Sequence, residues 1–177
     1  MSILKKLGDS EAFTLRLPQS SDNRGTFTKV FQSSWFNEVE NFIPRESYWT
    51  SSKPNVLRGF HLQMNEASQA KLVTCINGDV LDLIVDLRKG DKFGKVYTTR
   101  LNSSENNSIF IPKGYGHAFI NDTKTNCLIN YIVETEYSPE NDTGVKWNSV
   151  KYEWPINDPL VSERDNNLKD LSDFQPL

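Results

Sequence analysis

The sequence predicts an all-β fold, an antiparallel sandwich or barrel with short peripheral helices, and three observations point that way. Between Glu46 and Tyr137, short apolar and β-branched runs alternate with Gly, Asn, Asp and Ser clusters, the pattern of short antiparallel strands joined by turns. One of those boundaries is Asn77-Gly78, a pair that tolerates the positive φ of a tight hairpin turn. Helical periodicity is weak along the whole chain.

Taken in order, the opening MSILKKLGDSEAF holds two lysines and only a token apolar run, too short for the apolar core of a signal peptide, and no later stretch approaches a membrane span. SSWFNEV, beginning at Ser33, has the makings of a short helix with a serine cap. VLRGFHLQ, Val56 to Gln63, is strand-like yet mixed. Strict alternation puts Val56, Arg58, Phe60 and Leu62 on one side and Leu57, Gly59, His61 and Gln63 on the other, so neither face is cleanly apolar. A strand lining a concave polar site would look like this, and so would an edge strand with a solvated arginine. In KLVTCINGDVLDLIVDLRKG, Lys71–Ile76 and Asp79–Leu87 are expected to pair across the Asn77-Gly78 turn. Leu81, Leu83, Val85 and Leu87 then form an apolar face, while Asp82 and Asp86 interrupt the other. Further strands are expected at Gly94–Leu101, Asn107–Ile111, His117–Ile120 and Cys127–Tyr137, and the tail VSERDNNLKDLSDF offers a second helical segment. No repeat, low-complexity tract or linker divides the chain, so 1–177 reads as one domain.

Composition narrows the function classes. A hydrophobic fraction of 37% and a net charge of -3 suit a soluble globular protein and argue against nucleic-acid binding through bulk positive charge, leaving small-anion binding to local groups. Cys75 and Cys127 lie in apolar surroundings without CxxC spacing, which favours buried free thiols and a reducing, cytoplasmic setting over a disulfide framework.

The chain has only two histidines, His61 and His117, each beside a glycine-containing bend. A transition-metal site needs three or four N, S or O ligands, and the position two past His61 is Gln63, so a metal site would need Asp or Glu to complete it and is the minority reading. Without metal, His61 is a candidate general base, since its unperturbed pKa lies closest to neutrality. It would need an orienting carboxylate. Lys71 could stabilise an oxyanion, although a solvated lysine is the ordinary alternative. Tyr131, in NYIVETEY, shares a strand face with Val133, Thr135 and Tyr137 by period two, where packing alone would account for it. The residues supply a base, a cation and a phenol without showing that they meet.

Together these segments resemble the nucleotide-sugar 3,5-epimerase family whose best-known members are the dTDP-4-dehydrorhamnose 3,5-epimerases. SDNRGTFTKVF is similar to the family's D-x-R-G-x-F, VLRGFHLQ to V-L-R-G-L-H-Y-Q, QAKLV to Q-x-K-L-V, and IPKGYGHAF to I-P-x-G-F-A-H-G-F. DVLDLIVDLRKGDKFG, YIVETEYSP, VKWN, EWP and LVSERD follow in the family's order. Each motif is weak alone; in order along most of the chain they support one another.

The resemblance implies a cupin jelly-roll barrel, a metal-free homodimer whose N-terminal segment helps form the neighbour's site, and a nucleoside-diphosphate 4-keto sugar as substrate, with neither nucleic acid nor membrane as partner. It implies that His61 removes the proton beside the C4 ketone, Asp165 holds His61, Lys71 stabilises the enolate oxygen and Tyr131 returns a proton on the opposite face. Arg24, Arg58 and His117 would contact the ligand, the competing reading for the two arginines being structural ion pairs. Gln63, Tyr137, Asp142 and Arg164 fall at substrate-binding positions, the last two standing where the family has glutamate and lysine. Other binding positions depart further: the family's Q-x-N is here Glu46-Ser47-Tyr48, its glutamate after R-G-x-F is Lys29, its tyrosine in G-L-H-Y-Q is Leu62, and its arginine after K-L-V is Thr74. These changes imply retained chemistry on an altered nucleotide, sugar or both. Rival readings are a C3-only epimerase, a 3,4-ketoisomerase, and a non-catalytic sugar-nucleotide binding module. Retention of His61, Lys71, Tyr131 and Asp165 together speaks against the last, since binding alone does not require all four.

Overall fold

The computed structural model describes residues 4–37, 42–105 and 108–177. Two antiparallel sheets face each other. The first contains, in spatial order, Leu4–Lys6 (β1), Phe13–Leu15 (β2), Ser108–Ile111 (β10), Lys71–Asn77 (β7), Cys127–Val133 (β12) and Glu46–Ser52 (β5). The second contains Asp142–Gly144 (β13), Leu57–Gln63 (β6), Tyr115–Ile120 (β11), Asp79–Asp86 (β8) and Val96–Asn102 (β9). A separate ribbon pairs Gln19–Asp22 (β3) with Gly25–Thr28 (β4).

Alternating residues build three apolar layers. Val73, Cys75 and Ile129 of the first sheet meet Val80, Ile84 and Phe119 of the second in the central core, which makes the fold a double-sheet jelly roll. Leu57, Phe60, Leu62, Leu83 and Val85 point the other way and are covered by Val145, Val150 and Phe174 of the C-terminal segment. On the far side of the first sheet, Leu72 and Phe110 pack beneath Phe36 and Phe42. Both sheets are therefore buried on two faces, and the apolar face expected of Leu81, Leu83 and Val85 lies under the tail, not between the sheets. Cys75 and Cys127 are buried free thiols.

The expected hairpin across Asn77-Gly78 does not form. β7 pairs with β10 and β12, and β8 with β11 and β9, so the turn carries the chain from one sheet to the other. Of the two turn residues only Gly78 has positive φ, +90°, whereas the tight hairpin turn requires it at both. The corner lets Cys75 and Val80 enter one core from facing sheets, burial that a flat hairpin would forgo.

The second correction concerns VLRGFHLQ. Phe119 pairs with Arg58 and His117 with His61, so two residues of β6, Gly59 and Phe60, stand opposite the single residue Ala118. This bulge breaks the alternation. Leu57, Phe60 and Leu62 turn to the tail-facing core, while Arg58, His61 and Gln63 face one common cavity. The mixed pattern is two clean faces joined by a one-residue offset. Gly59 permits it with φ +120°; a Cβ there would lie 2.5 Å from both the Ala118 Cβ and the His117 carbonyl.

Smaller differences have local causes. The strand expected from Gly94 starts at Val96, because Gly94 sits in a turn at φ +77°. The strand expected to reach Tyr137 ends at Val133, where Glu134 and Thr135 divert the chain by bonding Ala70 N–H and the Gln69 side chain. Ser33 opens a 3-10 turn, Ser33–Phe36, whose cap position is Gln32 with no side-chain cap bond; the end of SSWFNEV and Asn107 lie outside the described residues. The tail forms two short turns, Glu163–Asn166 and Leu171–Asp173, the first capped by Ser162. No described helix is long and apolar enough to cross a membrane.

Candidate active site

Between the sheets lies a cavity of about 400 Å³ whose lining includes His61, Lys71, Tyr131, Arg58, His117 and Gln63, together with Glu46, Tyr48, Tyr137, Asp142 and Arg164. Its size suits a small-molecule site.

His61, on β6, is held from behind. Its Nε2 lies 2.8 Å from Asp165 Oδ1, and Asp165 Oδ2 accepts the Gly59 backbone N–H at 3.1 Å. Asp165 comes from the short helix Glu163–Asn166, docked because the Leu57 N–H donates to the Leu160 carbonyl at 3.0 Å and Ser162 caps the turn through the Asp165 N–H. Burial pushes the Asp165 carboxyl up, but the bonds from His61 and Gly59 outweigh it and hold the group below the usual carboxylate range. With Nε2 bound to a carboxylate, Nδ1 is the ring nitrogen left to accept a proton.

The opposite wall is the first sheet. Tyr131, on β12, is buried, and burial first, then the Tyr48 ring and the Asp82 carboxylate, raises its phenol well above the ordinary value. It therefore stays protonated at neutral pH, as a donor must. Lys71, on β7, donates to the His61 carbonyl at 3.2 Å; burial lowers its pKa to about 8, the Arg164 cation adding to the effect and Asp142 opposing it. His117, paired directly across from His61, bonds Asp82 at 2.8 Å. Burial raises the Asp82 carboxyl, against the pull of His117.

Arg58 donates to Ser52 Oγ at 3.0 Å and to the Ser51 carbonyl at 3.4 Å, and among the described residues no carboxylate pairs with it, so the ion-pair explanation does not hold for this arginine. Among the described residues Gln63 Nε2 is buried without a partner, a donor available to a ligand. At the mouth, Tyr137 OH and Arg164 both donate to Asp142, and Glu46 accepts the Tyr137 N–H at 2.8 Å. Arg24 and Lys29 are elsewhere. Both lie on the exposed β3–β4 ribbon and its exit, Arg24 bonded to Asp22 and Lys29 to Gln32, outside the cavity of their own chain.

Thr50, Gln69 and Val133 also line the cavity. Alternation along β5 from Glu46 and Tyr48 would have found Thr50, and Gln69 opens the QAKLV motif. No described cluster of three or more His, Cys, Asp or Glu has the form of a metal site.

The family model for dTDP-4-dehydrorhamnose 3,5-epimerase matches residues 9–173. A dTDP-4-dehydrorhamnose 3,5-epimerase of Methanothermobacter thermautotrophicus is 35% identical over 159 residues, covering 85% of this chain and 84% of that protein. The crystal structure of dTDP-6-deoxy-D-glucose-3,5-epimerase from Legionella pneumophila, in complex with dTDP-4-keto-L-rhamnose, aligns with a TM-score of 0.89 at 25% identity, covering 97% of this chain and 94% of the other. ChmJ, a 3'-monoepimerase from Streptomyces bikiniensis in complex with dTDP-quinovose, aligns with a TM-score of 0.83 at 26% identity, covering 92% and 84%. With the model match spanning nearly the whole chain, this protein belongs to the dTDP-4-dehydrorhamnose 3,5-epimerase family.

Proposed function

We propose that the protein inverts C3 and C5 of a 4-keto-6-deoxyhexose carried on a nucleoside diphosphate, without a cofactor. The observation that carries this reading is that a carboxylate-held imidazole and a protonated phenol enter one cavity from facing sheets. Inversion at carbon needs removal and delivery of a proton from different sides, and a single group cannot do both without moving.

His61 Nδ1 takes the proton on the carbon beside the ketone, and the bonding pair passes into the enolate. The Lys71 ammonium stabilises the charge that forms on the ketone oxygen. Tyr131 then protonates the carbon from the opposite side; its phenolate regains a proton from solvent, and the His61 imidazolium releases its proton to solvent, which restores both groups for the second centre. Each positioned acid or base contributes roughly 10²–10⁴ in rate. Arg58, His117 and Gln63 supply donors suited to the diphosphate and sugar hydroxyls. We further propose a homodimer in which the ribbon carries Arg24 and Lys29 to the mouth of the partner's cavity, and a cytoplasmic setting in which both thiols stay reduced.

Proton NMR in deuterium oxide tests the reaction, using dTDP-4-keto-6-deoxyglucose and its GDP- and CDP-linked counterparts. Deuterium at both C3 and C5 of the inverted product is the expected result. Deuterium at C3 alone would make the protein a monoepimerase, as ChmJ is named, and tight binding without exchange would make it a binding module.

A further inference from the structure

Tyr48 is a cavity residue to which the steps above give no task. It stands directly opposite Tyr131 in the β5–β12 pairing, and the two rings stack with centroids 4.9 Å apart and planes 14° from parallel. His117, from the facing sheet, meets Tyr131 edge-on at 5.9 Å and 68°. The donor ring is thus bounded by a flat ring from the neighbouring strand and an edge from the opposite wall. Among the described residues the Tyr48 hydroxyl has no hydrogen-bond partner, so ring contact is what joins the pair. Burial, then Glu46 and Asp142, pushes the Tyr48 phenol up to about 12, which keeps it neutral beside the donor.

We propose that Tyr48 is a positioning residue: by stacking on Tyr131 it holds the phenol on the line that delivers a proton to the carbon from the side away from His61. The inference rests on Tyr131 being the donor. Once His61 has removed the proton, the enolate carbon has two fates. The protonated imidazole can return a proton to the same side, which exchanges hydrogen with solvent and restores the substrate. Tyr131 can deliver to the other side, which inverts the centre. Partition between them depends on the position of the phenol, because proton transfer is steep in distance and angle. A residue that only packs would slow both fates together; one that only touches substrate would change KM and leave the partition alone.

The experiment measures, in deuterium oxide and with the nucleotide sugar on which the native protein shows exchange, the ratio of deuterium in recovered substrate to inverted product. Native protein is compared with Tyr48→Leu, Tyr48→Phe, Tyr131→Phe and His61→Asn. Tyr131→Phe should exchange without inverting, and His61→Asn should do neither. Tyr48→Leu fills most of the space without the flat ring, and its ratio should rise about tenfold or more. Tyr48→Phe restores the ring and should return the ratio close to native. A native ratio in Tyr48→Leu, a parallel loss of exchange and inversion, or an equal rise in Tyr48→Phe would each overturn the positioning role. Inversion by Tyr131→Phe would instead overturn the donor assignment, and this role with it.

Discussion

Lys71 is the charged group whose surroundings should set the upper pH limit of the proposed reaction. Its ordinary value is lowered to about 8, chiefly by burial. The ammonium is the form that stabilises an enolate, and it is present below that value and lost above it. The expected outcome is kcat/KM that falls as pH rises through about 8, the free-enzyme quantity in which such a group appears. In Lys71→Arg, whose guanidinium stays charged, that limb should disappear even if the rate is lower; a native profile flat to pH 10 would remove Lys71 from the mechanism. His61, Lys71, Tyr131 and Asp165 were legible because each sits in its own short motif. The stacking of Tyr48 on Tyr131 and the bond between His117 and Asp82 were not, since each joins strands far apart in sequence through register.

At the scale of elements, the sequence shows which segments are strands far better than how they pair. The segments around Lys71, Asp79, Tyr115 and Cys127 are all strands, but Asn77-Gly78 does not close the hairpin its residues suggest, because a turn residue's tolerance for positive φ does not say which sheet receives the next strand. That choice belongs to long-range burial. The bulge in β6 was equally hidden, because alternation assumes an unbroken pleat. It has a direct consequence: Gly59→Ala would place a methyl group 2.5 Å from Ala118 Cβ at a φ of +120°. Overpacking and backbone strain together should cost about 2–4 kcal/mol in urea unfolding and abolish turnover, since restoring alternation would swing His61 off the cavity. Stability within 0.5 kcal/mol of native, roughly the spread of neutral substitutions, would show that the bulge does not depend on this glycine.

For the molecule as a whole, the exposed ribbon is the part that a single chain leaves unexplained. An isolated two-stranded ribbon is marginal in water, yet β3 and β4 are exposed along nearly their whole length and Phe27 is 66% exposed. Trp49, also 66% exposed, stands on the edge strand β5. Sedimentation at micromolar concentration should give twice the 20.3 kDa of the chain, and Arg24→Ala should raise KM for the nucleotide sugar although Arg24 is outside its own cavity. A monomer, or an unchanged KM, would return Arg24 to a local pairing with Asp22.

The carboxylate behind the base belongs to a segment that follows every strand of both sheets. β13 ends at Gly144, while Asp165 reaches His61 only after the stretch through Leu160 has bridged back to Leu57. Residues up to Gly144 therefore supply every described strand of both sheets, with the phenol and the ammonium, but not the carboxylate that orients the imidazole. In the proposed mechanism the walls of the cavity and the orientation of its base thus come from separate stretches of the chain, and disrupting the later stretch should unhook the imidazole without deleting a strand.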